Sequence, residues 1–223
     1  MSASLTIDVF ADPVCPWCWI GKRRLEAALA SRPEVEATVR YLPFQLDPTI
    51  PPEGLDRHEY LTAKFEDEER IRAMHEQLAA IGRDEGIAFL FSEIGRAPNT
   101  LDAHRAIRIA AEEGPAAQGA LIERLFEAYF TEGEDISDLD VIGRAAEEVG
   151  IDWETLRDRL DSDEDVEEIR EEIDRARAIG VTGVPCFILG GKLVVMGAHP
   201  GEVLAEAIDR ALGDEDEAPA EEG

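Results

Sequence analysis

The hydrophobic period of this chain changes as it runs. Residues 5–11, LTIDVFA, alternate apolar and polar, the two-residue period of a half-buried strand. From Pro16 the run PWCWIGKRRLEAALASR takes up helical spacing, with proline in the first turn, where a missing N–H costs little. VEATVRYLPFQL, residues 35–46, is β-branched and aromatic and predicts a second strand. Strand, helix and strand at this spacing make a βαβ unit.

The proline-rich DPTIPPEGLD, residues 47–56, breaks the pattern. Six segments then carry apolar residues at helical spacing: EYLTAKFEDEERIRAMHEQLAAIGRDEG, TLDAHRAIRIAAEEG, AAQGALIERLFEAYFTEG, DLDVIGRAAEEVG, DWETLRDRL and EDVEEIREEIDRARAIG. Most of them stop at or near glycine, a common helix terminator. VPCFIL and KLVVMGA follow, two short strands joined by GG as a hairpin, and GEVLAEAIDRAL predicts a last helix. Strands at both ends with helices between them predict an α/β sheet domain built from residues 1–47 and 176–213, interrupted by a helical insertion domain over 48–175. The acidic stretch 214–223 is expected to be a disordered tail.

Charge narrows the partners. The chain of 223 residues has 22 Lys+Arg against 50 Asp+Glu, a net charge of −28. Such a surface repels nucleic-acid phosphates and anionic lipid, so neither nucleic acid nor membrane is an expected partner. The acidic excess is spread along the chain, as on proteins that stay soluble in concentrated salt. MSASLTIDVF lacks a basic stretch followed by an apolar run, and no apolar run approaches membrane-spanning length, which predicts a cytoplasmic protein. The oligomeric state is not legible.

The chemistry centres on DPVCPWCWIGKRRLE, where Cys15 and Cys18 stand two residues apart at a strand-to-helix junction. The thiolate is the nucleophile, and the positive end of a helix dipole favours it at Cys15. Cys18, one turn on, shares its face and can resolve a mixed disulfide by attacking back. No acidic residue stands between the two to oppose the charge, and Pro16 and Trp17 stiffen the loop. A structural zinc site calls for four ligands and usually a second close cysteine pair, which the sequence lacks. His58, His75, His104 and His199 are scattered, and Trp19 stands where a c-type haem motif needs histidine. A redox pair is therefore favoured over metal and over an inert pair.

Two further stretches carry signals. In GVTGVPCFIL, Pro185 opens a strand, either as an edge residue or as a cis peptide that leaves the Val184 backbone free to pair with an extended substrate. In PNTLDAHRA, Asn99 or Thr100 reads as a helix N-cap and His104 as a helical residue one turn on.

Taken together, DVFADPVCPWCWIGKRRLE, PNTLDAHRA, GVPCFIL and MGAHPGEVL resemble, in order and spacing, the DsbA-like thioredoxin-fold disulfide oxidoreductases, and among them the FrnE-like branch. The resemblance runs from about Leu5 to Leu212. It implies a thioredoxin fold with a large all-helical insertion and thiol–disulfide exchange on protein or small-molecule disulfides through Cys15 and Cys18. The Cys15–Cys18 disulfide would be the only redox group, with no added cofactor and no metal. It also implies a cis Val184–Pro185 peptide against the cysteines, a substrate surface of Pro16, Trp17, Val184 and Pro185, and a helix start that brings Asn99, Thr100 and His104 to the cleft. His104 would then be placed to shuttle a proton.

Two departures from the branch stand out. Cys186 replaces the usual non-thiol residue after the proline, as a small buried residue, an auxiliary thiol, or a third metal ligand with His199 as a fourth. No export signal accompanies a fold often used for oxidative folding, so a reducing or isomerising role in the cytoplasm is as plausible as net oxidation. Two alternatives follow: a glutathione-dependent isomerase or transferase of the kappa or hydroxychromene-carboxylate type, against which Cys15 in place of serine argues, and a zinc-binding redox sensor using Cys15, Cys18 and Cys186.

Overall fold

The computed structural model describes residues 3–216. Strand β1 (Ala3–Ala11) lies at the centre of a sheet, parallel to β2 (Val35–Pro43) and antiparallel to β5 (Cys186–Leu189), which in turn pairs with β6 (Leu193–Met196). The order is β2-β1-β5-β6, so the N-terminal βαβ unit and the C-terminal hairpin share one sheet, as the strand positions predict. Gly190 and Gly191 turn the hairpin with φ of 58° and 69°, a conformation that favours glycine, and the Lys192 N–H closes it on the Leu189 carbonyl at 3.1 Å.

Helix α1 (Pro16–Ala30) leaves the carboxyl end of β1, and α9 (Gly201–Asp216) packs against α1, β1, β5 and β6. Residues 217–223 of the expected acidic tail lie outside the described residues, and 214–216 belong to α9. Between β2 and β5 run α2 (Arg57–Phe65), α3 (Glu68–Asp84), α4 (Leu101–Ala110), α5 (Pro115–Thr131), α6 (Leu139–Glu148), α7 (Trp153–Leu160) and α8 (Val166–Ala178). The fold is that of a thioredoxin-like α/β protein with a helical insertion.

Three details differ from the hydrophobic pattern. The long segment from Glu59 to Gly86 is two helices, because Glu66 turns into the left-handed region at φ 59° and Asp67 caps α3 by accepting from the N–H groups of Glu69 and Arg70. Strand β2 stops at Pro43 rather than running to Leu46, where the backbone N–H donates to the Asp12 carboxylate at 2.8 Å in place of a ladder bond. A two-residue ladder, β3 (Leu55–Asp56) with β4 (Arg96–Ala97), ties the start of α2 to the segment before α4. It is too short to leave a period in the sequence.

Insertion and sheet share one apolar core. Trp19 of α1 stacks on Phe126 and Phe130 of α5 at 5.9 and 6.0 Å and meets Phe89 edge-on at 5.6 Å. Gln118 of α5 acts as a strand partner for β2. Its amide oxygen accepts the Tyr41 N–H and its amide nitrogen donates to the Tyr41 carbonyl, both at 2.9 Å, so the open edge of the sheet is satisfied there by a side chain. Buried Arg105 of α4 donates to the carbonyls of Arg159, Leu160, Ser162 and Glu164, pinning the α7–α8 connection to α4.

Candidate active site

The end of β1 and the start of α1 place the cysteines. The Cys15 N–H donates to the Asp12 carbonyl at 2.9 Å, and Cys15, in extended conformation at φ −94° and ψ 111°, is the N-cap of α1 with Pro16 opening the helix. The Cys18 N–H returns to the Cys15 carbonyl at 3.0 Å, which stacks the two side chains one turn apart. Both are free thiols, 4% and 2% exposed. Burial, reinforced by the hydrogen bond that the Cys18 thiol donates to Cys15, raises the Cys18 thiol well above its ordinary pKa. Cys18 is thus held protonated behind Cys15, and Cys15 is the one that lines the cleft.

The opposing wall is the loop before β5. The Val184–Pro185 peptide is cis, and the Cys15 thiol lies 3.7 Å from the Val184 carbonyl. Close approach of α1 to this loop depends on Gly21: a Cβ there would stand 2.9 Å from Pro185 Cγ.

Cys15 opens into a cleft of about 390 Å³ between the sheet domain and helices α2 and α3. Val14, Trp17, Leu46, Leu78, Phe91 and Phe130 give it apolar walls, and Trp17, 36% exposed, stands at its mouth. Asp12 closes the floor. Its carboxylate, 1% exposed, accepts the Leu46 N–H and lies 3.7 Å from His104 Nε2. Helices α2 and α3 add Arg57, Tyr60, Lys64 and His75. His75 stacks on Phe91 at 4.4 Å, and burial, with the neighbouring charge of Arg57, lowers its pKa to about 4, so the ring is neutral near pH 7.

The residues singled out in the sequence divide into two groups. Cys15, Pro16, Trp17, Val184 and Thr100 line this cleft. Pro185 sits behind Val184, against α1. Asn99 and His104 do not line it. Thr100 is the N-cap residue of α4, and Asn99 before it accepts the Leu101 N–H at 2.9 Å and donates to the Ile50 carbonyl at 2.6 Å, so its amide is committed to joining the start of α4 to the loop after β2. His104, one turn into α4, is buried with Nε2 3.2 Å from the Phe44 carbonyl. It lines a neighbouring cavity of about 240 Å³ between β2, α4 and α5 and meets the cleft only through Asp12. Both neighbours of Nε2 are acceptors, so that nitrogen carries the hydrogen.

Cys186 is also set apart. Phe187 faces α1, since a Cβ on Gly21 would stand 3.1 Å from Phe187 Cζ, and strand alternation turns Cys186 to the other face. There it packs with Phe10, Phe44, Ala176 and Val181, fully buried, and burial raises its thiol pKa. The proximity in sequence that suggested an auxiliary thiol or third ligand is undone by the pleat. His199 is exposed beyond β6, and among the described residues no group of three or more His, Cys, Asp or Glu is arranged to hold a metal ion.

Asp12 is the site residue that reading the sequence passed over: no acid stands between the cysteines, but one stands three residues before Cys15, where β1 ends, and DP just before VCPWC was its signal. Arg57, Tyr60, Lys64 and His75 left no comparable trace, because they reach the cleft only through the packing of α2 and α3.

The DSBA-like thioredoxin domain model matches residues 6–209. The chain is 28% identical over 210 residues to the uncharacterized protein YwbO of Bacillus subtilis, covering 94% of this chain and 96% of that one. Among solved structures it is similar to SCO1869 of Streptomyces coelicolor, described as a probable DsbA oxidoreductase, with 30% identity, a TM-score of 0.86, and 98% and 94% of the two chains covered. The fold also matches the cytosolic disulfide reductase DsbM of Pseudomonas aeruginosa, at 20% identity and a TM-score of 0.61, over 95% and 97% of the chains. Among the described residues no helix is long and apolar enough to cross a membrane.

Proposed function

The chain belongs to the DSBA-like thioredoxin domain family, and on that premise we propose that it is a thiol–disulfide oxidoreductase of the FrnE-like branch, working through Cys15 and Cys18. The observation that carries the reading is the asymmetry of the pair: Cys15 lines the cleft at a helix N-terminus, beside the Val184 carbonyl, while Cys18 lies behind it with a raised pKa.

The exchange follows from that asymmetry. Cys15, as thiolate, attacks one sulfur of a substrate disulfide, forms a mixed disulfide and releases the other sulfur as a thiolate, which takes up a proton. Cys18 loses its proton and attacks Cys15 Sγ. The second substrate sulfur leaves as a thiol and the Cys15–Cys18 disulfide closes, so two electrons have passed from the protein to the substrate. The reverse sequence oxidises a dithiol, and no cofactor beyond the pair is required. Asp12, near Cys18 and in contact with the His104 side chain, is placed to hold the Cys18 proton between steps. A cytosolic disulfide reductase among the fold relatives supports work in the reducing direction in the cytoplasm.

Cys15→Ser is expected to abolish both insulin reduction and repair of a scrambled disulfide substrate, and Cys18→Ser to accumulate mixed disulfides with the substrate on non-reducing gels. Full activity of Cys15→Ser in both assays would overturn the mechanism.

A further inference from the structure

The cleft in front of Cys15 is mainly apolar, yet it contains a guanidinium that has no carboxylate partner among the described residues. None of the ion pairs among the described residues includes Arg57, in a chain whose carboxylates outnumber its cations by 50 to 22. Its guanidinium donates to the Phe91 carbonyl at 3.3 Å, lies over the Phe91 ring at 5.8 Å and touches the Tyr129 hydroxyl. These contacts use only part of a fork of five N–H donors. The other cation of the lining is differently placed: Lys64 donates to Tyr60 at 2.8 Å, and Tyr60 is in turn bonded to Asp47, which supplies a nearby negative charge. Of the two carboxylates lining the cleft, Asp12 is engaged by the Leu46 N–H and Asp47 by Thr49. His75 beside Arg57 is neutral and adds no charge of its own.

An unpaired guanidinium on an apolar wall matches a planar anion attached to an apolar body, because Arg binds a carboxylate through two parallel N–H bonds and the low-dielectric wall strengthens them. A volume of about 390 Å³ is in the range of small-molecule sites. We propose that the cleft takes low-molecular-weight disulfides or thiols with an apolar body and a carboxylate, the carboxylate docking on Arg57 while the sulfur meets Cys15. This inference rests on the oxidoreductase reading and specifies its substrate class; chains of folded proteins would have to reach Cys15 without using that anchor.

Single-turnover kinetics of the reduced protein test it with two aromatic disulfides, the carboxylate-bearing dithiobis(nitrobenzoate) and the uncharged dithiodipyridine. In each, Cys15 attacks one sulfur and expels an aryl thiolate, and Cys18 then closes the protein disulfide and expels the second. Arg57→Gln is expected to slow the carboxylate reagent about ten-fold relative to the uncharged one, the low end for a charge-assisted bond at a half-exposed site. Arg57→Lys is expected to recover part of that preference. Arg175→Gln on the exposed side of α8, which alters overall charge equally, is expected to leave both that preference and insulin reduction unchanged. Equal slowing of both reagents and of insulin by Arg57→Gln, or no change in their ratio, would overturn the carboxylate anchor. A wild-type protein in which neither reagent reacts at Cys15 would instead overturn the oxidoreductase reading.

Discussion

Gly21 lets α1 approach the Pro185 loop, and Gly21→Ala tests whether that approach matters. Alanine in a helix interior is favoured over glycine by about 1 kcal/mol, so propensity alone predicts stabilisation. The added Cβ would stand 2.9 Å from Pro185 Cγ and 3.1 Å from Phe187 Cζ, below ordinary contact. The proline ring is rigid and Phe187 is fully buried, so neither can yield without moving the β5 backbone. Overpacking of this kind costs about 1–3 kcal/mol. Packing outweighs propensity, and a net destabilisation of roughly 0–2 kcal/mol is expected, the difference of the two effects. Gly119 is the internal control: its Cβ would meet only Tyr41, at 3.8 Å, so Gly119→Ala is expected to gain up to about 1 kcal/mol. Urea denaturation measures both. Displacing Pro185 also shifts Val184, whose carbonyl lies 3.7 Å from the Cys15 thiol, so the rate of Cys15 alkylation by iodoacetamide in the folded protein is expected to change in Gly21→Ala alone. A Gly21→Ala protein stabilised as much as Gly119→Ala, with unaltered Cys15 alkylation, would refute the packing argument.

Other consequences can be checked separately. Gln118→Leu strands the buried Tyr41 N–H and carbonyl at the sheet edge and is expected to cost about 2 kcal/mol or more, a fall of roughly 5 °C in Tm by calorimetry; an unchanged Tm would show that β2 does not depend on that amide. His75 has a folded pKa of about 4 against an ordinary 6.5, so the unfolded chain binds a proton between those values that the folded chain does not, and stability falls as pH drops through that window. His75→Phe keeps the stack on Phe91 and is expected to lose less stability than wild type between pH 7 and pH 4.5, by on the order of 1 kcal/mol after discounting for solvent screening at this half-exposed ring; superimposable pH profiles would contradict the assigned environment.

Much of the fold was legible because its signals are local. Period-two alternation in β1, proline opening α1, the GG turn and glycine-terminated amphipathic segments each report the backbone they form, and the structure has elements at all those places. Capping limited the precision: Asp67 competes for the N–H groups of Glu69 and Arg70 and splits a segment that hydrophobic period alone joins. The cysteine pair was legible for the same reason, since a CxxC at a strand-to-helix junction combines spacing with a helix N-terminus in one stretch. Cys186 misled because adjacency in sequence is not adjacency in space: one residue along a strand reverses the face.

The sequence by itself determined the α/β fold, with its terminal strands in one sheet around a helical insertion, and the place of Cys15 and Cys18 at a strand-to-helix junction, because each depends on periods and spacings that the chain shows locally. Only the tertiary structure decided what surrounds that pair. It buried Asp12 under the cleft, set His104 behind it rather than in it, turned Cys186 to the far face, and brought Arg57 and His75 from α2 and α3 to the wall before Cys15. Those placements depend on which apolar faces meet across long loops, and a carboxylate, guanidinium or imidazole has no sequence period that reveals which of them the packing will leave facing Cys15.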